Sequence, residues 1–446
     1  MARESGLIPP LGRRAWWLLV GYTLQKLGSG LVWPFLTVYL RGVREIGLGT
    51  VGLVLSVISL AGVIAVPVSG WLSDWLGAGR AVMAMVLTAA AGAVLFAFAH
   101  GPAIAFVAGF LMGAGNGGMW NAFASLLAVS VPPAQRMAVF GVTFGFQHLG
   151  LGLGSIFSAF SVDVNRPGTF QTIFFGEAAL FVTFALLIAF LSSSRIMGPK
   201  TGQAQMEQAE AEPAPASGLA GYKAALSDKV LLGISILNTL FAAAAVAFTD
   251  VAFPAWATGT AGSTTRVVGL AFTANTAVIV VVQLLVLKCI QKRRRTRSIA
   301  VAAAVFATAC LVTFLAGTAM GGLATAAGLI AALAAFGLAD TMLQPSLYAM
   351  VNDLAPDALR GKYNAVFNLS WQVGPVVGPA VVGLLLARSM GSAIFIGLTA
   401  FYLLVILLVL QMERIVPAAV NLGRSPDPAG GASQQPGVEA AGGAGS

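Results

Sequence analysis

Four ionisable side chains, Lys26, Glu177, Asp250 and Asp340, stand inside apolar stretches long enough to cross a bilayer. A charge at the bilayer centre costs on the order of 3 kcal/mol on insertion scales, so such residues face a protein interior or a wet cavity. Gln25, Asn116, Asn121, Asn238 and Gln344 lie in the same kind of stretch, and Asp340 and Gln344 share one helical face because they are four residues apart. Asn364, Asn368 and Gln372 share another face, and His148 is a single histidine in an apolar run. A lone intramembrane histidine is more often a hydrogen-bonded packing residue than a proton carrier, although its titration range suits a shuttle. Trp120, Trp371 and Phe144 are of the type and placement to wall a cavity.

Three embedded acids against one lysine leave a formal excess of two negative charges if all ionise. Burial without partners disfavours the ionised form, so at least one acid is expected to carry a proton or to be neutralised by a cationic substrate. Proton and substrate competing for one carboxylate is what a proton antiporter requires. The plain alternative is that the acids only hydrogen-bond across helices. Asp250 and Asp340 are the acids expected at the coupling site. The surplus of acids favours a pairing of Lys26 with one such as Asp340; left unpaired, Lys26 would favour an anionic substrate.

The elements that must position these groups are helices. Fifty-eight per cent of the residues are hydrophobic and nine per cent charged, against about a quarter charged in soluble domains. Twelve apolar runs of spanning length are predicted, near 15–40, 50–73, 81–99, 103–130, 137–162, 170–191, 229–257, 266–287, 298–319, 323–351, 362–388 and 392–413. The sequence reads as an all-α integral membrane protein.

A single offset aligns Gly113 with Gly337, Asn116 with Asp340, Pro132 with Pro356, Arg136 with Arg360, His148 with Gln372 and Gly150 with Gly374, without a gap. The chain is therefore doubled, and doubled halves with a site at their interface characterise secondary transporters. The polar stretch 192–228, with its Glu, Gln, Pro and Ala run, predicts a flexible linker between bundles at 15–191 and 229–413. A short segment, 1–14, precedes them, and a disordered tail is expected over 414–446.

The net charge of +9 is a matter of topology. With both termini in the cytoplasm, nearly all Lys and Arg residues fall on the cytoplasmic side. The densest group, Lys288 to Arg297, is expected to anchor to anionic lipid and not to nucleic acid. The two cysteines, Cys289 and Cys310, frame no disulfide scaffold, and the first apolar run has no cleavage site of the signal-peptide kind. Trp16, Trp17, Trp33 and Trp256 are expected at the membrane interfaces.

Three motifs remain. Gly70-Trp71-Leu72-Ser73-Asp74-Trp75-Leu76-Gly77-Ala78-Gly79-Arg80 offers a carboxylate at Asp74, a basic group at Arg80 and glycines for a tight reversal at Gly77 and Gly79. Gly374-Pro375-Val376-Val377-Gly378-Pro379, with its weaker copy Gly150 to Gly154 followed by Ser155, sets small residues four apart, which lets helices approach closely and suggests a seam for rocking. Gly113 to Gly118 satisfies the dinucleotide pattern by letter only. With no strand before it, it reads as small-residue helix packing.

These residues resemble the major facilitator superfamily over the whole membrane region. The segment 70–80 is similar to that family's cytoplasmic loop signature, with Trp75 where a basic residue is usual, and the glycine-proline segments resemble the signature of its drug/proton antiporters. The resemblance implies two pseudosymmetric six-helix bundles with a cavity lined by the first, fourth, seventh and tenth helices, and a conformational latch at Asp74. It further implies alternating access in a bacterial cytoplasmic membrane by a monomer. The family's frequent fourth-helix arginine is replaced by Gly109.

The function expected is proton-coupled export of small lipophilic or cationic compounds. A proton-linked importer of a small nutrient and a transporter-like sensor are the alternatives. No Walker lysine motif, metal-ligand cluster or nucleophile constellation is evident, so neither an ATP-driven pump nor an enzyme is expected, and no cofactor or metal.

Overall fold

The structure is a computed structural model that describes residues 11–132, 135–193, 219–290, 294–356 and 359–422. Twelve long helices carry it. The first, α1 (Arg13–Val32), continues through a 3-10 turn at Trp33–Phe35 and one α turn into a π-helical end at Tyr39–Val43. It is followed by α2 (Leu48–Leu76), α3 (Ala78–Ala97), α4 (Pro102–Ala128), α5 (Arg136–Ser161) and α6 (Pro167–Ser193). In the second half, α7 (Lys229–Val246) runs through a π-helical stretch, Ala247–Ala252, into Phe253–Thr258. Then come α8 (Thr265–Ile290), α9 (Arg295–Thr318), α10 (Gly322–Leu354), α11 (Arg360–Ala387) and α12 (Gly391–Met412).

Ten of the described helices are long and apolar enough to span a membrane. The other two long ones, α1 and α5, are broken by the 3-10 turn or diluted with Gly, Gln and His. Both are nonetheless packed inside the first bundle, where α1 lies against α5. Pairings repeat between the halves. In the first, α2 and α3 pack on α4, α3 on α6 and α1 on α5; in the second, α8 and α9 pack on α10, α9 on α12 and α7 on α11.

Local chemistry sets several boundaries. Gly77 has φ +85°, a left-handed conformation that reverses the chain between α2 and α3. Gly79, expected to share that reversal, is already in α3. Asp228 caps α7, accepting from the N–H groups of Val230 at 2.8 Å and Leu231 at 3.2 Å. The linker is not irregular throughout, because Leu219–Ser227 forms a helix that packs on α11, and the Tyr363 hydroxyl donates to Asp228 at 2.9 Å. Its polar run at 205–215 lies outside the described residues, as do residues 1–10 and the tail beyond 422.

The glycine motifs pack within each half. A Cβ added at Gly150 would lie 2.5 Å from the Thr23 carbonyl oxygen, and one at Gly154 2.2 Å from that of Leu27, so α5 rides directly on α1. A Cβ at Gly374 would meet the Thr239 carbonyl at 2.4 Å, and one at Gly378 that of Ala243 at 2.2 Å, so α11 rides on α7. These seams lie within each bundle and not between the two halves. Gly113 and Gly117 likewise seat α4 on α2, as helix packing requires.

The two halves meet where α2 lies on α11 and α5 on α8. A Cβ at Gly52 would come within 2.4 Å of the Pro379 carbonyl oxygen, and the Ala380 N–H donates to Ser56 at 3.0 Å. Thr265 donates to the Val162 carbonyl at 3.0 Å, and Thr37 donates to the carbonyl of Asp250. Among the described residues, these inter-half hydrogen bonds lie away from the face where α1 begins and α12 ends. Outside them is a vestibule of ≈ 1280 Å³ lined by both halves, including Thr37, Arg41, Glu45, Trp256 and Ser392. The halves are therefore closed on that face.

Trp256 is not an interfacial anchor. It is 3% exposed, and its indole donates to the Thr313 carbonyl at 3.0 Å. Trp17 is exposed. At the terminus-bearing face Arg294 and Arg297 pair with Glu413, and Arg295 pairs with Asp353. These arginines, expected to hold anionic lipid, bind acids of the protein itself. Lys292 and Arg293, and the side chains of Lys288 and Cys289, lie outside the described residues.

Candidate functional site

Two polar clusters hold embedded residues, one centred on α1 of the first half and one on α10 of the second. In the first half, Tyr22 sits one turn before Lys26 on α1. Its hydroxyl donates to Gln147 at 2.6 Å, its ring stacks on Phe123 with centroids 4.7 Å apart, and Trp120 lies 5.8 Å away. The Lys26 ammonium stands 5.3 Å from the Tyr22 ring centroid, a cation–π placement suited to a half-buried lysine. Gln25 donates to Asn116 at 3.1 Å, joining α1 to α4.

In the second half, a pocket of ≈ 180 Å³ is lined by Asp340, Thr341, Gln344, Pro345 and Tyr348 of α10, Ile279 and Gln283 of α8, and Phe144 of α5. Both halves thus contribute to its wall. The Asp340 carboxylate has no hydrogen bond or ion pair among the described residues, and the Gln344 amide nitrogen is buried without a partner. Tyr348 donates to Asn368 at 2.9 Å. Phe144 also lies against His148, with centroids 4.5 Å apart, so α5 connects the two clusters.

Other expected site residues are placed elsewhere. Asn121 donates to Ser69 at 3.0 Å and sits in the α2–α4 seam, while Asn238, buried between α7 and α11, donates to Ser370 at 2.9 Å. Asp250 is on the π-helical stretch at the closed face. Its carboxylate accepts from Thr249 at 2.8 Å and it does not line the Asp340 pocket. Trp371 and Gln372 are half-buried on α11. No ion pair joins Lys26 to Asp340 among the described residues; the acid whose field acts on Lys26 is Glu177. Asp74 and Arg80 are exposed, with no partner among the described residues.

Tyr22, Gln147, Gln283 and Tyr348 were not anticipated. Tyr348 had a signal, since Asp340, Gln344 and Tyr348 fall four apart on one face. Gln283 is a single amide in an apolar run, with the same insertion cost argument as the charges.

A family model described as Major Facilitator Superfamily matches residues 18–324 and, in an overlapping second match, 237–437. The chain belongs to this superfamily. An uncharacterized MFS-type transporter, YttB of Bacillus subtilis (strain 168), is 23% identical over 412 residues, covering 90% of this chain and 96% of that protein. A Na(+), Li(+), K(+)/H(+) antiporter of Planococcus maritimus is 27% identical over 146 residues, 32% of this chain and 34% of that one. Among solved structures, the nucleoside transporter NupG superposes with a TM-score of 0.73 at 14% identity, covering 90% of this chain and all of that one. A POT family transporter does so with a TM-score of 0.71, also at 14% identity, over 92% of this chain and 99% of that one. At such identity these structures speak for the fold. As a superfamily member the protein is an integral membrane transporter and not an enzyme, and its substrate is a small molecule.

Proposed function

We propose that the protein is a proton-coupled antiporter that exports small lipophilic or cationic compounds by alternating access, with Asp340 as the residue for which proton and substrate compete. The observation that carries this reading is the unpartnered Asp340 carboxylate in a pocket walled by both halves. A carboxylate held in low dielectric without a cation or donor beside it takes up a proton or a cationic group, and the two exclude each other. The rings of Phe144 and Tyr348 in the same wall suit a lipophilic cation. The word antiporter in the name of the Planococcus maritimus relative supports the exchange mode.

Closure at the vestibule face corresponds to an inward-facing state, with the terminus-bearing face in the cytoplasm of a bacterial cell and the protein acting as a monomer. Rocking breaks the α2–α11 and α5–α8 contacts while the glycine seams keep each bundle rigid. Anionic lipid contact is assigned to the basic group Lys288 to Arg297.

The test uses proteoliposomes with an imposed pH gradient and tetraphenylphosphonium or ethidium as probe. Wild-type protein is expected to move probe against the proton flux. Asp340→Asn is expected to abolish gradient-driven movement while keeping probe binding. Undiminished gradient-driven flux in that variant overturns the assignment.

A further inference from the structure

Glu177 is an embedded acid that lines neither the Asp340 pocket nor the vestibule. It lies in the middle of α6 and is fully buried, and both carboxyl oxygens lack a hydrogen-bond partner among the described residues. An ionised carboxylate in that state would bear its full desolvation cost, which a proton removes. The surroundings are equally specific. α6 packs on α1 and α3. A Cβ added to Gly28 would come within 3.3 Å of the Glu177 backbone, so α1 and α6 are in close contact at this level.

The charged groups around Glu177 are few. α1 offers Lys26, with Tyr22 one turn away, and carries Arg13 and Arg14 in its first turn, more than three turns before Lys26; α3 has only Arg80, in its first turn; and α6 has no other titratable side chain. His148 of α5 feels the Lys26 charge from the other side. Glu177 therefore has one cation that can serve it, and the two do not meet in an ion pair here. The Lys26 ammonium rests over Tyr22 instead.

The pseudosymmetry marks this lysine as an addition. A Cβ built on Gly150 would lie 2.9 Å from the Lys26 Cβ, and one built on Gly374 lies at the same 2.9 Å from the Cβ of Ala242. The second half thus has alanine where the first has lysine. Packing of α5 on α1 needs no cation there, so Lys26 serves Glu177 or the cleft.

We propose that Glu177 is a second proton-binding residue, in a buried site behind the cleft, protonated when Lys26 rests over Tyr22 and deprotonated when Lys26 swings to pair with it. In the exchange, the O–H bond of the carboxylic acid breaks, the proton leaves by the cleft, and the carboxylate left behind takes the lysine ammonium as its counter-ion. The reverse step re-forms the O–H bond and returns Lys26 to the tyrosine ring. Lys26 is a positioning residue for that proton. The inference deepens the proton-coupled reading, adding a proton site in the half that lacks Asp340.

Infrared difference spectroscopy on the purified full-length protein, titrated with acid and base, reads carboxylic acids directly and needs no substrate. Between neutral and alkaline pH, where exposed carboxyls are already ionised, wild type is expected to show pH-responsive protonated-carboxyl C=O bands from embedded acids, those of Glu177 and Asp340 among them. Glu177→Gln is expected to remove one of them and Asp340→Asn another. In Lys26→Met the Glu177 band is expected to persist to the alkaline end, because the carboxylate has lost its counter-ion. A Glu177→Gln spectrum identical to wild type overturns the proposal, as does a Glu177 band that titrates identically in Lys26→Met. If Glu177→Gln does not fold, as judged by gel filtration, the Lys26→Met titration decides alone. A band lost in Glu177→Gln with none assignable to Asp340 would sustain this inference and sink the Asp340 assignment, so the two readings fail separately.

Discussion

Thr37 on α1 donates its hydroxyl to the backbone carbonyl of Asp250 on α7, across the boundary between the two bundles. The residue four positions on is Pro254, which has no N–H to give this carbonyl and leaves it open to a partner outside its own helix. The bond belongs to the closed vestibule face, and under the proposed alternating access it breaks when that face opens.

Removing it is expected to favour opening. A net hydrogen bond contributes about 1 kcal/mol, so Thr37→Val should raise the ratio of open to closed vestibule roughly fivefold. Spin labels at Glu45 and Ser392, on opposite sides of the vestibule, report that ratio as a distance distribution. An unchanged distribution would remove this bond from the gate.

Two glycine substitutions of equal size should act differently. A methyl at Gly52 enters the inter-half seam against Pro379, whereas one at Gly154 enters the α1–α5 seam inside the first bundle. Gly52→Ala is expected to disfavour vestibule closure and to slow transport with little change in Tm. Gly154→Ala is expected to lower Tm by the overpacking cost of about 1–3 kcal/mol. Equal Tm losses in both would contradict the assignment of the two seams.

Asn121 should be a stability residue. Its bond to Ser69 is a helix–helix contact of a kind worth about 0.6 kcal/mol in membranes. Asn121→Ala is expected to lower unfolding stability by that order and leave probe affinity and proton coupling as in wild type. A large change in probe affinity would return Asn121 to the cleft.

The clasp at the terminus-bearing face should be acid-labile. The hydrogen bond from Arg294, aided by the charge of Arg297, holds the Glu413 carboxyl below its ordinary value of 4.5. A depressed carboxylate contributes stability above its unfolded pKa and loses it as pH falls through the folded value. Thr296 and Arg295 also hold Asn421 and the Val420 carbonyl, so the same end carries residues 413–422. Corrected for the slower intrinsic exchange of amides in acid, the protection of that stretch is expected to fall when pH drops from neutral to below about 4, and Glu413→Gln should show the lower protection already at neutral pH. Protection independent of both would mean the ion pairs do not hold the segment.

The twelve helices, their doubling and the polar residues inside them were legible from residue types alone. Apolar length dictates spanning, and the single ungapped offset that relates Gly113 to Gly337 and Gly154 to Gly378 marks a duplication. Asp340, Gln344 and Tyr348 could be placed on one face for the same reason, since a helix fixes the angle between residues four apart. What no local rule supplies is the rotation of each helix about its axis and its register against neighbours. The contact pairs Gly150 with Thr23 and Gly374 with Thr239 do not share the offset that relates α5 to α11. Only packing reveals that Lys26 answers to Ala242. That register sends Asn121 and Asn238 into seams, raises Asp250 to the gate and brings Lys26 to Glu177 instead of Asp340. Composition decided how many charges the membrane must tolerate; tertiary packing decided which of them share a neighbourhood, because electrostatic partnership depends on separation in space and not along the chain.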